Sequence, residues 1–343
     1  MKVTIATITS LNYFAKTKSL IESLRRYHQE LSIHVLLADY DLKESIINND
    51  YKGKKIYYCN PEVLEINELK EMAFKYNILE FNASLKPFFI DYLLRDYEGV
   101  IYLDPDMVVY NKLTEVLAYM KQYSIIITPH VLSDCENADL LSYLEHGIYN
   151  LGFIAIRKDK NALKMLEWWK NKLIDFCICE SQDKLFADQK WIDFVPALFE
   201  GVYILREAGY NVAFWNLWER TIKYIDDKYY VNNERLVIYH FSNYNLKFPD
   251  YLVYYGDENY RCFPNSKELK GLYKRYYEKV LLMGYDYYSK IEYGFKYFDN
   301  GKVILDKYRK IYYNHSNKKV FGNPFETGHS GSFYKYLIQN ELE

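Results

Sequence analysis

The chain has 343 residues, 50% hydrophobic and 26% charged, with a formal net charge of -2 and a pI near 6.4. This length allows two domains, or one large α/β domain with an addition. The balanced charge gives no global reason to expect nucleic acid as a partner, and no stretch reaches the roughly 18 apolar residues that cross a bilayer.

Val3 to Ile8 reads as a short apolar strand, with Thr7, Thr9 and Ser10 at its end. An amphipathic helix is expected from Lys16 to Tyr27, where Leu20, Ile21 and Leu24 recur at helical spacing. Ile33 to Ala38 is a second strand, and Asp39 follows it directly. Strand, helix and strand in this order predict a parallel, right-handed βαβ unit with ligands at the carboxyl ends of its strands. Lys55 to Tyr58 is a candidate third strand. Helices are expected over Glu65 to Tyr76 and Ala83 to Arg95, the latter with Pro87 in its first turn. Neither a Gly-x-Gly-x-x-Gly nor a Gly-x-x-x-x-Gly-Lys-Ser/Thr loop is present, which disfavours dinucleotide dehydrogenases and P-loop kinases.

Gly99 to Tyr110, GVIYLDPDMVVY, reads as a buried strand interrupted by Asp104-Pro105-Asp106. Carboxylates inside such a run cost several kcal/mol each, by order of magnitude, unless they are partnered. At i and i+2 the two can face one way and share a divalent cation. Oxygen ligands suit Mg²⁺ or Mn²⁺, and an imidazole tilts the choice toward Mn²⁺. A helix from Thr114, its expected N-cap, to Gln122 precedes the strand Ser124 to Thr128. The strand Tyr149 to Ile156 opens with Asn150 and Gly152, and a helix is expected from Asn161 to Ile174 with Trp168 and Trp169 against the sheet. Ala187 to Phe194 is a candidate helix, Pro196 a turn and Val202 to Leu205 a strand. The last clear strand, Leu236 to Phe241, carries His240 near its end, the candidate third metal ligand.

Residues 261–320 hold 14 Lys and Arg against 6 Asp and Glu, a local excess hidden in the total. They are also rich in tyrosine, of which the chain has 39. The plain reading of this stretch is a solvated face; the sharper one is a basic, aromatic surface for anionic lipid. Five scattered cysteines without a Cys-x-x-Cys pair imply reduced thiols. With no signal-peptide pattern at MKVTIATITS, the expected location is the cytoplasm or the cytoplasmic face of the inner membrane.

Asn12-Tyr13, Tyr102-Leu103-Asp104-Pro105-Asp106, Asn150-Leu151-Gly152, Asp188-Gln189 and His240-Phe241, in this order over roughly residues 1–250, resemble the nucleotide-sugar-dependent glycosyltransferases of GT-A fold. The similarity is to the family 8 retaining hexosyltransferases and related bacterial capsule and lipopolysaccharide enzymes. It implies a Rossmann-like, mixed but mainly parallel sheet flanked by helices, with a helical, basic, Tyr-rich C-terminal appendage. Residues 1–258 would form the catalytic domain, its nucleotide-sugar half at about 1–110 and its acceptor half at about 111–258, leaving 259–343 as the appendage.

Position by position, the resemblance implies donor contacts at Ala6, Thr7, Tyr13, Asp39, Lys86, Asp104 and Asn150. It gives metal ligation to Asp104, Asp106 and His240, and the catalytic role to Asp188 and Gln189, which would position the transferred sugar and stabilise oxocarbenium charge, with Gln189 near the anomeric carbon. Tyr210, Asn211, Trp215 and Asn216 would border the acceptor. After its histidine the family commonly has Gly at the third position and Lys at the sixth; here these are Asn243 and Leu246, with Lys247 displaced by one.

The implied activity is a Mn²⁺- or Mg²⁺-dependent transfer of hexose from a nucleotide sugar, expected to be a UDP-sugar, to a glycan or lipid-linked acceptor in surface polysaccharide synthesis. No glutamate stands out as a nucleophile, so same-face attack with retention is favoured; an inverting enzyme would need a base such as Asp134, Glu136 or Glu219. A sugar-phosphate nucleotidyltransferase also needs two carboxylates and a metal, but usually brings a Gly-rich loop after its first strand, and Ile8 to Phe14 has no glycine. A carbohydrate-binding or scaffold protein would explain the tyrosines and leave Asp104 and Asp106 without a purpose.

Overall fold

The βαβ opening forms as its periodicity requires. Strand β1 (Val3–Thr9) pairs in parallel with β2 (Ser32–Leu37), and α1 (Phe14–Tyr27) crosses between them. The computed structural model describes residues 1–39, 55–134, 140–180, 184–256 and 259–342. Beyond β2 lies β3 (Ile56–Cys59). Helices α2 (Leu69–Lys75), α3 (Ile78–Ser84) and α4 (Lys86–Leu93) then lead into β4 (Gly99–Leu103), which pairs in parallel with β1. After β5 (Met107–Val109) and α5 (Thr114–Tyr119) come β6 (Ile125–Pro129), α6 (Leu140–His146), β7 (Tyr149–Arg157) and α7 (Lys160–Asp175). The main sheet has the order Val202–Ile204, β6, β7, β4, β1, β2, β3. Its pairings are parallel except those of β7, which runs antiparallel to both neighbours. The architecture is therefore mixed α/β with a mainly parallel sheet and helices on both faces.

Strand alternation divides the core into two layers. Ile5, Ile33, Val35, Ile101 and Leu103 face α1 through Leu20, Ile21 and Leu24. Ala6, Ile8, Val100, Tyr102 and Ile127 face the other way, against Phe89 and Ile90 of α4 and Met165, Leu166 and Trp169 of α7. Each fully buried Leu, Ile or Phe contributes about 1.5–3 kcal/mol. Helix α7 starts where Asp159 accepts from the amides of Asn161 (3.0 Å) and Ala162 (2.8 Å).

Several expectations shift. Gly99 to Tyr110 is not one interrupted strand: β4 ends at Leu103, the Met107 amide closes a turn on the Asp104 carbonyl (3.0 Å), and β5 joins a different, two-stranded sheet with Ile238–His240. The run expected from Ala83 to Arg95 splits at Leu85, because Pro87 has no amide hydrogen to give the Ala83 carbonyl and sits instead in the first turn of α4. A capping box between Asn77 and Glu80 starts α3, which the sequence reading passed over. Glu65 takes a left-handed conformation (φ 55), so α2 begins only at Leu69. Leu113, rather than Thr114, is the N-cap of α5, and Pro196 lies inside the short helix Val195–Leu198.

The first part of the C-terminal segment packs into the α1 side of the core, while Phe298, Tyr308, Tyr312, Phe333 and Leu337 form a separate cluster around Phe74. In the helix Lys267–Leu282, Leu269, Leu272, Tyr273, Tyr276 and Val280 are buried. Tyr276 stacks on Phe241 (3.8 Å between centroids) and the Tyr273 hydroxyl meets that of Tyr239 (3.1 Å). Arg309 is buried and donates to the carbonyls of Ala73, Phe74, Tyr76 and Phe295. Of the tyrosines behind the lipid-facing reading of 261–320, Tyr273, Tyr276, Tyr288, Tyr308 and Tyr312 point inward, while Tyr287 and Tyr297 stay exposed. Some of the segment's charge is paired internally, as in Lys279 with Glu22 and Lys310 with Glu180 (2.8 Å). Among the described residues, no helix is long and apolar enough to cross a membrane. Cys59, Cys177, Cys179 and Cys262 are free thiols, and Cys135 lies outside the described residues.

Candidate active site

The two-stranded ladder between β5 and Ile238–His240 builds the site's centre. It places His240 opposite Met107, so the imidazole stands beside the Asp104–Asp106 turn. Alternation along Ile238–His240 sends Tyr239 toward the C-terminal helix and leaves His240 facing a cavity of about 1040 Å³. His240 Nε2 lies 3.1 Å from Asp106 Oδ1. One ligand atom from each of Asp104, Asp106 and His240 falls within 4.8 Å of the others. Two carboxylates and an imidazole form a donor set suited to Mn²⁺ or Mg²⁺. His240 Nδ1 is buried with no hydrogen-bond partner. The residues therefore fit a divalent ion.

Gly152 makes this packing possible. A Cβ there would lie 2.6 Å from His240 Cε1 and from Met107 Cε, and 2.9 Å from His240 Nδ1. Burial works to raise the Asp106 pKa, but the imidazole of His240 and the ammonium of Lys16 outweigh it and hold the carboxyl below its ordinary value. Lys16, a residue the sequence reading did not single out, is itself buried, with its ammonium 4.0 Å from the centre of the Tyr13 ring.

A second charged pair lies behind the first. Lys86, at the start of α4, donates to the Leu151 carbonyl (2.8 Å) and pairs with Asp188 Oδ2 (2.7 Å). Its distance to Asp104 Oδ1 is 3.8 Å, and the Tyr102 hydroxyl donates to that same oxygen (2.8 Å). Lys86 and Asp188 are both buried, at 3% and 5% exposure. Burial opposes the Lys86 charge, yet Asp188 and Asp104 raise its pKa. Burial pushes the Asp188 pKa up despite Lys86. The core fixes this corner, since the Trp169 indole of α7 donates to the Asp188 carbonyl (3.2 Å).

Asn150 and Gln189 complete the inner wall, joined by a 3.1 Å bond from Asn150 Nδ2 to Gln189 Oε1. Of the residues expected to contact donor or metal, Tyr13, Lys86, Asp104, Asp106, Asn150 and His240 line the cavity, together with Asp188 and Gln189. Ala6, Thr7 and Asp39 are not among its lining residues. Ala6 and Thr7 are fully buried, and Asp39 accepts from the amides of Leu11 (3.1 Å) and Gly294 (3.3 Å).

Of the four expected on the acceptor side, Trp215 lines the cavity. Tyr210 turns away to bond Glu115 (2.7 Å). Asn216 ties the carbonyls of His130 (2.9 Å) and Asn211 (3.0 Å) behind Trp215. The loop after His240 answers its departure from the family pattern in part. Asn243 adopts φ 56, the left-handed conformation that glycine would take there, and Leu246 is buried.

The sequence reading missed His130, Tyr143, His146, Trp218 and Arg261, which also line the cavity. His130 directly follows β6, so the strand-end rule that pointed to Asp104 applies to it too. Of the candidate bases, Glu219 is taken up by the amides of Leu132 and Ser133 and the Ser133 hydroxyl. Asp134 is exposed, and Glu136 lies outside the described residues.

No known family profile matches the chain. It is similar to two uncharacterised proteins of Bacillus subtilis strain 168. YfnD is 24% identical over 247 residues, covering 70% of this chain and 78% of that protein. YfnF is 25% identical over 248 residues, covering 70% and 81%. Among solved structures it is similar to the galactosyltransferase LgtC in complex with donor and acceptor sugar analogues, at 15% identity and TM-score 0.48, covering 82% of this chain and 96% of that one. It is also similar to the glycosyltransferase GlyE of Streptococcus pneumoniae TIGR4, at 16% identity and TM-score 0.48, covering 87% of this chain and 66% of that one.

Proposed function

We propose that the protein is a metal-dependent glycosyltransferase that moves a hexose from a UDP-sugar to a glycan or lipid-linked glycan in bacterial surface polysaccharide synthesis, with retention. The observation that carries this reading is the convergence of Asp104, Asp106 and His240 on a cavity whose inner wall holds Lys86, Asn150, Asp188 and Gln189. In this reading residues 1–258 are the catalytic domain and 259–343 buttress it, and the site lies in the cytoplasm.

Asp104, Asp106 and His240 would hold Mn²⁺ (or Mg²⁺), which when bound neutralises the diphosphate and stabilises it as a leaving group. Tyr13 and the end of β1 face the nucleotide. Lys86 opposes the burial that favours the neutral form of Asp188, and the paired carboxylate would take a sugar hydroxyl and stabilise positive charge developing on the ring. Trp215 offers an aromatic face to the acceptor. Ala6, Thr7, Asp39, Tyr210, Asn211 and Asn216 act from behind the wall, as supports.

Retention is favoured because, among the described residues, Asp104, Asp106 and Asp188 are the carboxylates on the cavity wall. Two of these are the metal's, and the third is paired with Lys86. With no free carboxylate among the described residues of the wall to act as nucleophile or general base, in this reading the acceptor hydroxyl attacks from the leaving-group side, its proton passing to the departing diphosphate. The test is to incubate the protein with a panel of nucleotide sugars and Mn²⁺ and measure free nucleoside diphosphate. Release that stops on chelation supports the reading. Pyrophosphate formed from a sugar phosphate and a nucleoside triphosphate would replace it with a nucleotidyltransferase.

A further inference from the structure

Asn150 and Gln189 have their amide orientations dictated by backbone groups that cannot change role. Gln189 Nε2 donates to the His146 carbonyl (2.8 Å), and its Oε1 accepts from the Leu151 amide (3.0 Å). A carbonyl only accepts and a backbone N–H only donates, so one orientation of Gln189 is permitted. Asn150 Oδ1 accepts from the Gly152 amide (3.2 Å), which turns its Nδ2 toward Gln189 Oε1 (3.1 Å). The other partner of Nδ2 is His130 Nε2, 3.3 Å away, which must therefore be the unprotonated ring nitrogen. His130 Nδ1 then carries the proton and donates it to the Ile148 carbonyl (3.3 Å).

The surroundings of His130 agree with that tautomer. Its ring stacks on Tyr143 (5.4 Å) and meets Trp215 edge-on (5.3 Å). Burial holds its pKa down at about 4, so the ring is neutral near pH 7 and Nε2 keeps its lone pair.

What remains unbonded defines the surface offered to a ligand. Both hydrogens of Asn150 Nδ2 are used, and Gln189 Oε1 has accepted from two donors. One acceptor position on Asn150 Oδ1 and one N–H on Gln189 Nε2 are left. An acceptor beside a donor is the complement of a hydroxyl group, which gives one hydrogen bond and takes others.

The geometry points to His130 as a positioning residue: by accepting from Asn150 it fixes a wall whose free acceptor and free donor match a hydroxyl of the transferred sugar. This rests on the glycosyltransferase reading above. Without the Nε2 lone pair, one Asn150 N–H is left unpaired and competes with Gln189 for the same sugar oxygen.

The test uses the full chain with UDP and with the UDP-hexose that the wild type hydrolyses fastest. His130→Phe keeps a ring between Tyr143 and Trp215 and removes the acceptor; His130→Gln returns a carbonyl oxygen. Turnover should fall about tenfold in His130→Phe, the effect of one unpaired buried donor. His130→Gln should recover most of it. The Kd for UDP, which lacks the transferred hexose, should stay within about twofold in both variants, and the Tm of His130→Phe should fall by a few degrees, the cost of the same unpaired donor. Unchanged turnover in His130→Phe, no rescue by Gln, or a loss of UDP affinity as large as the loss of turnover would each overturn the assignment. Imidazole ¹⁵N spectra of the labelled wild type supply a readout independent of activity: the Nδ1–H tautomer at His130 is expected, and the Nε2–H tautomer refutes it. If the wild type hydrolyses no nucleotide sugar, the functional reading fails, and the spectra still decide the network.

Discussion

Substituting Gly152 by Ala tests whether the imidazole is held where a metal needs it. The added methyl would lie 2.6 Å from His240 Cε1 and 2.9 Å from Nδ1, where ordinary carbon contacts begin near ~3.5 Å, so the ring must move by about 1 Å. Met107, also at 2.6 Å, can withdraw the end of a flexible side chain. His240 has less freedom: its amide is bonded to the Val212 carbonyl (2.8 Å), Trp215 meets its ring edge-on (5.3 Å), and a shift of the ring disturbs the 3.1 Å contact to Asp106. Overpacking of this kind costs about 1–3 kcal/mol of stability. The larger effect falls on the metal, where misplacing a ligand through its supports typically costs about 10–100-fold in affinity. Calorimetric titration of Mn²⁺ with UDP present should therefore give at least a tenfold weaker Kd for Gly152→Ala. Wild-type metal affinity in a folded Gly152→Ala protein would refute the placement of His240.

Lys86→Met should destabilise the protein by about 3–5 kcal/mol in urea unfolding, because it strands Asp188 in the interior, and adding Asp188→Asn should recover much of that; a loss under about 1 kcal/mol would contradict the buried pair. Burial pushes the Asp159 pKa up, but the bonds it accepts at the start of α7 from Ala162, Ser124 and Asn161, with Arg157 beside it, outweigh this and leave it below the ordinary value. Its folded pKa lies under its unfolded one, so its contribution is present above the ordinary carboxylate value near ~4 and is lost as pH falls through the folded value. The stability gap between wild type and Asp159→Asn should accordingly shrink from pH 6 to pH 3; a constant gap would count against it. Arg309→Ala, which leaves buried carbonyls of two chain segments without their donor, should cost about 3 kcal/mol or more and expose the C-terminal segment to limited proteolysis. An unchanged cleavage pattern would argue against the buttress.

The parts of the site legible in the sequence were those where a polar residue ends an apolar strand. Asp104, Asp106 and His240 stood out because charge at such a place needs a reason, and the structure brings these three together. The βαβ opening was equally visible, since β1 and β2 carry near-continuous apolar runs. The pairing of β5 with Ile238–His240 was not, because a three-residue strand carries little periodicity and its partner lies over a hundred positions away. The inward burial of the C-terminal tyrosines was hidden for a different reason. Tyrosine serves core and surface alike, and only the packing of Tyr273 and Tyr276 against Tyr239 and Phe241 decides between them. Thr7 lies inside β1, fully buried, and Asp39, just past β2, is taken up by the Leu11 and Gly294 amides, which shows that a strand-end position alone does not open onto the cavity.

The central claim, a divalent ion on Asp104, Asp106 and His240 serving a nucleotide diphosphate, is tested most directly by Mn²⁺-dependent release of UDP from a UDP-hexose, comparing the wild type with Asp106→Asn. Release by the wild type should stop on chelation, and folded Asp106→Asn should give none above background. Release that persists in Asp106→Asn, or that is indifferent to chelator, would contradict it.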